Sequence, residues 1–146
     1  MPETQKTYQQ SKLLNRYYDK IGRAAVGQGA CPHFIEFRAG FGLLDECDPG
    51  DPKLLPIPPD MTEIPREFYR GLIEAEYSNG TVLCKCEIPM GTVSEPTRYN
   101  MIGIYDQDTE LIAVCTMLPD WVTPTEMNRA YPAVIFPIET VGGDNA

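Results

Sequence analysis

The sequence holds one histidine and one tryptophan in 146 residues, and twelve Lys and Arg against twenty-one Asp and Glu. With His33 as the only imidazole, no Ser/His/Asp or Cys/His relay can be assembled without it. Gly-x-Ser-x-Gly and His-Glu-x-x-His are both missing, and Cys31-Pro32-His33 has a single stiff residue between thiol and imidazole, which is not a nucleophile motif. The reading is that of a protein that is not an enzyme. The shortage of positive charge leaves a net charge of −9 and no Lys/Arg cluster, so nothing offers a stripe to neutralise phosphates. Nucleic acid is disfavoured as a partner, and so is an anionic membrane surface. No apolar run approaches the ~20 residues that span a bilayer. The polar start, Met1 to Gln10, is neither a signal peptide nor a lipidation motif, so synthesis and retention in a cytoplasm are expected.

Cys-x-x-Cys is also absent, and the five cysteines are odd in number, which favours reduced thiols over a disulfide framework. No cofactor is expected. A metal site is the alternative: Cys84 and Cys86, two apart on an expected strand, project from one face, and Cys31 and His33, or Cys47 or Cys115, could complete a tetrahedral set. Two small apolar thiols facing a core explain the same spacing. Gly27-Gln28-Gly29 and Gly40-Phe41-Gly42 lack the third glycine of a phosphate loop and read as turns. The carboxylates at 45, 46, 48 and 51, and at 106, 108 and 110, lack the spacing of a calcium loop and read as solvated loops.

Twelve glycines and fourteen prolines point to turns and extended chain, and the length suits one domain spanning 1–146. Leu14, Tyr17, Tyr18, Ile21, Ala24 and Ala25 recur at helical spacing, which predicts one helix over about 11–27, with Ser11 as N-cap and Gly27 or Gly29 at its end. Gly22 inside it costs about 1 kcal/mol relative to alanine, so close packing or a break is expected there. A β-rich region over about 34–138 follows. Strands are predicted at 34–39, at 68–77 and 81–88 around Ser78-Asn79-Gly80, at 100–105 and 111–117 around residues 106–109, and at 133–138. Both faces of 111–117 are apolar, as in a strand covered on two sides. Between about 45 and 65 lies an arm with six prolines, too proline-rich for a sheet. The arm is expected to grip another chain, with Leu54, Leu55 and Ile57 as contacts. The fold class expected is α+β: one N-terminal helix packed on a mainly antiparallel sheet or small β-sandwich, with a long arm.

The run from Asn100 to Val114, with Gly103-Ile104-Tyr105-Asp106 and, after a short acidic turn, Leu111-Ile112-Ala113, resembles the signature of phage tail-collar fibre proteins. Glu67-Phe68-Tyr69-Arg70 resembles that family's Asn-Glu-x-Tyr-Arg segment, and Pro119-Asp120-Trp121 with Pro124 resembles its aromatic and proline stretch; the likeness spans about 17–138. Met101 stands where the family carries glutamate, and Thr109 where it carries a turn glycine, so the turn is freed from positive-φ geometry. The resemblance implies a structural module of a virion tail, a fibre or fibre adaptor that attaches to the baseplate as a homotrimer and joins it to another tail component. It would be made in the host bacterial cytoplasm. Arg70, Gly103, Tyr105, Asp106, Trp121 and Pro124 are the assembly residues implied. A free acidic protein-binding module or inhibitor is the reading of a different class.

Overall fold

The computed structural model describes residues 9–136. The chain opens with strand β1 (Gln9–Leu13) and helix α1 (Asn15–Ala25), continues through β2 (Glu36–Gly40), and then forms a small hairpin, β3 (Leu44–Asp45) with β4 (Lys53–Leu54). There follow β5 (Tyr69–Leu72), β6 (Glu74–Ser78), β7 (Thr81–Ile88), β8 (Thr97–Tyr105), β9 (Leu111–Val122), β10 (Asn128–Ala130) and β11 (Ala133–Ile135). The fold is α+β, one helix on antiparallel sheets, as the sequence predicts.

Sheet I runs in the order β1-β9-β8-β2-β5. In sheet II, β7 pairs with β6 along one edge and with β10 and β11 along the other. The segment from Tyr69 to Ser78 serves both sheets: its first half pairs with β2, its second with β7, and Ile73 between them donates its N–H to the Ile35 carbonyl at 3.0 Å. Asn79 and Gly80 turn β6 into β7 with φ of 48° and 82°, the type I′ geometry that Asn-Gly favours.

Alternation along the central strands divides the apolar residues between two cores. Ile102, Ile104 and Cys115 of sheet I meet Cys84, Cys86, Ile88 and Val134 of sheet II in the larger core, joined by Phe37 and by Tyr17 from α1. Met101, Tyr105, Leu111 and Val114 face the other way and are covered by Leu14, Ile57 and Ile64. Sheet I is thus covered on both sides, which explains the apolar run in β9.

The second cover corrects the reading of the arm at one expected contact, Ile57. Its base is the β3–β4 hairpin, and residues 57–64 lie back against the chain's own sheet, where Ile57 and Ile64 are each 5% exposed. Full burial of such a side chain contributes roughly 1.5–3 kcal/mol, and Ile57 is consumed inside the molecule rather than offered to a partner. Leu54 is half-buried in the hairpin, while Leu55 is 40% exposed.

The helix is shorter than expected, because Ser11 belongs to β1, paired with Cys115, and is not a cap. Leu14 holds the N-cap position without a side-chain bond; its N–H donates to Ile112 O, and that of Asn15 to Pro59 O. Gly27, at φ 75°, ends the helix. Its N–H reaches Ala24 O and that of Gln28 reaches Arg23 O, the paired bonds of a Schellman motif. Gly22 lies on the exposed side with nothing among the described residues within 4 Å of where a Cβ would stand, so neither close packing nor a break there accounts for it. The expected last strand ends at Ile135; Pro137, Ile138 and the Gly-Gly tail lie outside the described residues. Among the described residues no helix is long and apolar enough to cross a membrane.

Candidate functional site

The run that carries the family resemblance forms the centre of sheet I, with Ile102 opposite Cys115 and Gly103 opposite Val114. The chain passes from β8 to β9 through a turn closed by Thr109 N–H to Asp106 O at 2.9 Å and Asp106 N–H to Glu110 O at 3.0 Å. Asp106 Oδ1 also accepts the N–H groups of Asp108 and Glu110, so this carboxylate starts a side-chain-to-backbone turn, as aspartate readily does. Thr109 has φ 59°. The absence of a glycine at this place does not free the turn from positive φ, contrary to expectation; a β-branched residue occupies the left-handed region.

The carboxylates of Asp106, Asp108 and Glu110 converge within 4.8 Å of one another; the solvated-loop reading holds for Asp108, which is exposed, but not for Asp106, whose side chain is buried. Lys20, one helical turn beyond Arg16, lies among them. Its ammonium bonds Asp106 Oδ2, reaches Glu110 Oε1 at 2.6 Å and Asp108 Oδ2 at 3.2 Å, and Arg16 bonds Glu110 Oε2 at 2.6 Å. Burial opposes the charged ammonium, but hydrogen bonds to Asp106, Glu110 and Asp108 outweigh it and raise the Lys20 pKa. The position a divalent cation would take is filled by this ammonium. The cluster fastens α1 to the signature turn.

Gly103 gives the close approach that a strand glycine permits, and what approaches is an aliphatic side chain of the arm: a Cβ there would stand 2.6 Å from Ile64 Cδ1 and 2.9 Å from Leu111 Cδ1. Tyr105 is buried, with the Arg38 guanidinium 3.9 Å from its ring centroid. Arg38 is held by Glu36 Oε2 at 2.6 Å and by Glu67 Oε1 at 3.6 Å. Arg70 also pairs with Glu67 but is largely exposed. Of the residues implied by the resemblance, Gly103, Tyr105 and Asp106 thus come together inside the fold, and Arg70 does not join them. Trp121 is 54% exposed on the far part of β9, where Arg98, bonded to Glu46 at 2.6 Å, lies 6.0 Å from its ring. Pro124 accepts the Gly91 N–H at 3.0 Å.

Cys84 and Cys86 share a face of β7, as their spacing predicts, but that face is the larger core. Burial pushes the Cys84 thiol up to about 11 and raises Cys86 and Cys115 as well. Cys31 and His33 are exposed elsewhere on the surface, so the four residues of the metal alternative are not brought together.

The residues that sequence reasoning passed over lie on and beside sheet II. Leu83 (48%) and Ile135 (68%) are exposed on β7 and β11, Tyr131 (59%) on the link between β10 and β11, and Leu72 (79%) and Tyr77 (62%) along the shared segment. Beside β6, a groove of about 430 Å3 is lined by Tyr17, Phe34, Val82 and Phe136. The only sequence signal for this surface was an apolar residue at alternate positions that a core would also explain. Comparison with protein-family models, with curated proteins and with solved structures finds no match to this chain.

Proposed function

We propose that this chain is a structural attachment protein of a phage tail, a fibre or fibre adaptor that docks on the baseplate as a homotrimer, holds another tail component and performs no catalysis. The observation that carries the reading is the tail-collar-like run Asn100 to Val114, which forms the middle of sheet I. Its polar residues are spent on construction: Asp106 binds the turn and Lys20, and Tyr105 lies under Arg38. Support for an attachment role comes from the exposed Trp121 and from Leu83 and Ile135, which lie exposed on one face of sheet II. Virion tails are the expected location, with the host bacterial cytoplasm as the place of synthesis.

The test is the mass and composition of the native complex recovered from lysates of phage-producing cells. Three copies bound to baseplate proteins support the reading; a monomer free of tail proteins overturns it. A second reading, a free acidic module that captures a basic protein, is favoured by the net charge of −9 and by the exposed Glu74 and Glu76. Salt-sensitive capture of such a protein by the monomer would distinguish it.

A further inference from the structure

Among the described residues, strand β6 has a hydrogen-bonded neighbour on one side only. The two-residue turn makes Ser78 and Thr81 a bonded pair, and alternation makes Glu76 with Leu83 and Glu74 with Lys85 bonded pairs as well. Ala75 and Tyr77 therefore turn their N–H and C=O groups to the opposite edge. Among the described residues nothing bonds them there, since the strand's contact with the β2 side ends at Ile73 and Ile35. Past that point the two segments part, and the groove lined by Tyr17, Phe34, Val82 and Phe136 opens between them. β6 has no proline, no lysine and no register shift to block a further strand; its protection against indiscriminate pairing is the charge of Glu74 and Glu76, which a strand bearing positive charge would neutralise.

We propose that this edge and its groove accept an extended segment of a partner protein in which apolar residues alternate with lysine or arginine. The alternation follows from the pleat. Ala75 and Tyr77 share a face with Cys84 and Val82, toward the groove, while Glu74 and Glu76 share the outer face with Lys85 and Leu83. An added strand continues this pattern: residues opposite Ala75 and Tyr77 turn into the aromatic groove, and those between them stand beside Glu74 and Glu76. Neither glutamate is in an ion pair among the described residues. A second copy of β6 is the wrong occupant, because pairing it antiparallel on the first brings glutamates together across the interface. The inference rests on the attachment role and not on the tail; peptide binding tests the former, and recovery with baseplate proteins the latter.

The experiment titrates the full chain with a labelled heptapeptide alternating valine and lysine, read by fluorescence anisotropy. Saturable binding is expected, at least tenfold tighter than that of a valine–glutamate alternation or of a scrambled peptide with lysines and valines in blocks. Ala75→Pro removes an outward N–H that the β7 ladder does not use and should weaken binding at least tenfold. A peptide methylated on alternate amide nitrogens makes the same test on the unaltered chain. Glu74→Lys with Glu76→Lys should reverse the preference between the two alternating peptides. No binding overturns the proposal, including the case in which residues 137–146 of the same chain fill the groove. Equal binding of the scrambled peptide, or indifference to both amide tests, overturns it too.

Discussion

Asn100 and Gly42 exchange two hydrogen bonds: the Gly42 N–H donates to Asn100 Oδ1 at 2.9 Å, and Asn100 Nδ2 donates to the Gly42 carbonyl at 2.8 Å. A fully buried side-chain amide thereby stands in for a strand backbone where the chain leaves β2 and turns into the arm. Asn100→Ala strands both backbone groups and should cost about 2–3 kcal/mol. Asn100→Asp loses the donor and buries a charge, so it should cost at least as much. Urea unfolding with an unchanged slope checks both; a shift smaller than that of a surface substitution would show the pair to be dispensable.

The packing of the arm on sheet I is tested at Gly103. A methyl group there collides with Ile64, so Gly103→Ala should destabilise by roughly 1–3 kcal/mol. Ile64→Ala is also destabilising alone, but together the two should cost less than their sum because the cavity receives the methyl. Strict additivity would mean that Ile64 is not the neighbour.

Thr109 at φ 59° gives a stabilising variant. Thr109→Gly removes the strain of a β-branched residue in the left-handed region and should raise stability by about 1 kcal/mol, net of the backbone entropy that glycine adds. Thermal unfolding reads the difference, and a lower midpoint would contradict the turn geometry.

Lys20 is the counter-charge of Asp106, whose side chain is wholly buried. Lys20→Met should cost about 3 kcal/mol, the scale for leaving one member of a buried pair alone, and adding Asp106→Asn should recover part of the loss. The raised Lys20 pKa makes the favourable contribution constant through the neutral range and lost only as pH rises past the ordinary lysine value.

The buried thiols make the alkaline side steeper. Their folded-state pKa values are raised, so the unfolded chain gives up these protons first, and stability should fall as pH climbs above about 8.5, the value for a free thiol. Denaturant unfolding between neutral and alkaline pH should show the loss, smaller in a variant carrying Cys84→Ala and Cys86→Ala. With native protein, iodoacetamide should label Cys31 and Cys47 and spare Cys84, Cys86 and Cys115. Rapid labelling of all five would refute the core placement.

What the sequence by itself determined are the local decisions, where a short stretch suffices. Asn79-Gly80 set a two-residue turn, Gly27 closed the helix, and the unbroken apolar run of Leu111 to Val114 required cover on both faces. Only the tertiary structure decided the rest, because it depends on partners distant in sequence. The polar stretch Gln9–Leu13 has no strand pattern of its own and is a strand because β9 offers an edge. The prolines of the arm mark an irregular backbone but not what it covers; Gly103 leaves the space that Ile64 fills, in one cluster with Ile57 and Met101. Spacing placed Cys84 and Cys86 on one face, and the opposing sheet made that face a core. Asp106, Asp108 and Glu110 resemble a solvated loop until Lys20, far away along the chain, is brought among them, since the energy of a charge depends on its surroundings, which neighbouring letters do not specify.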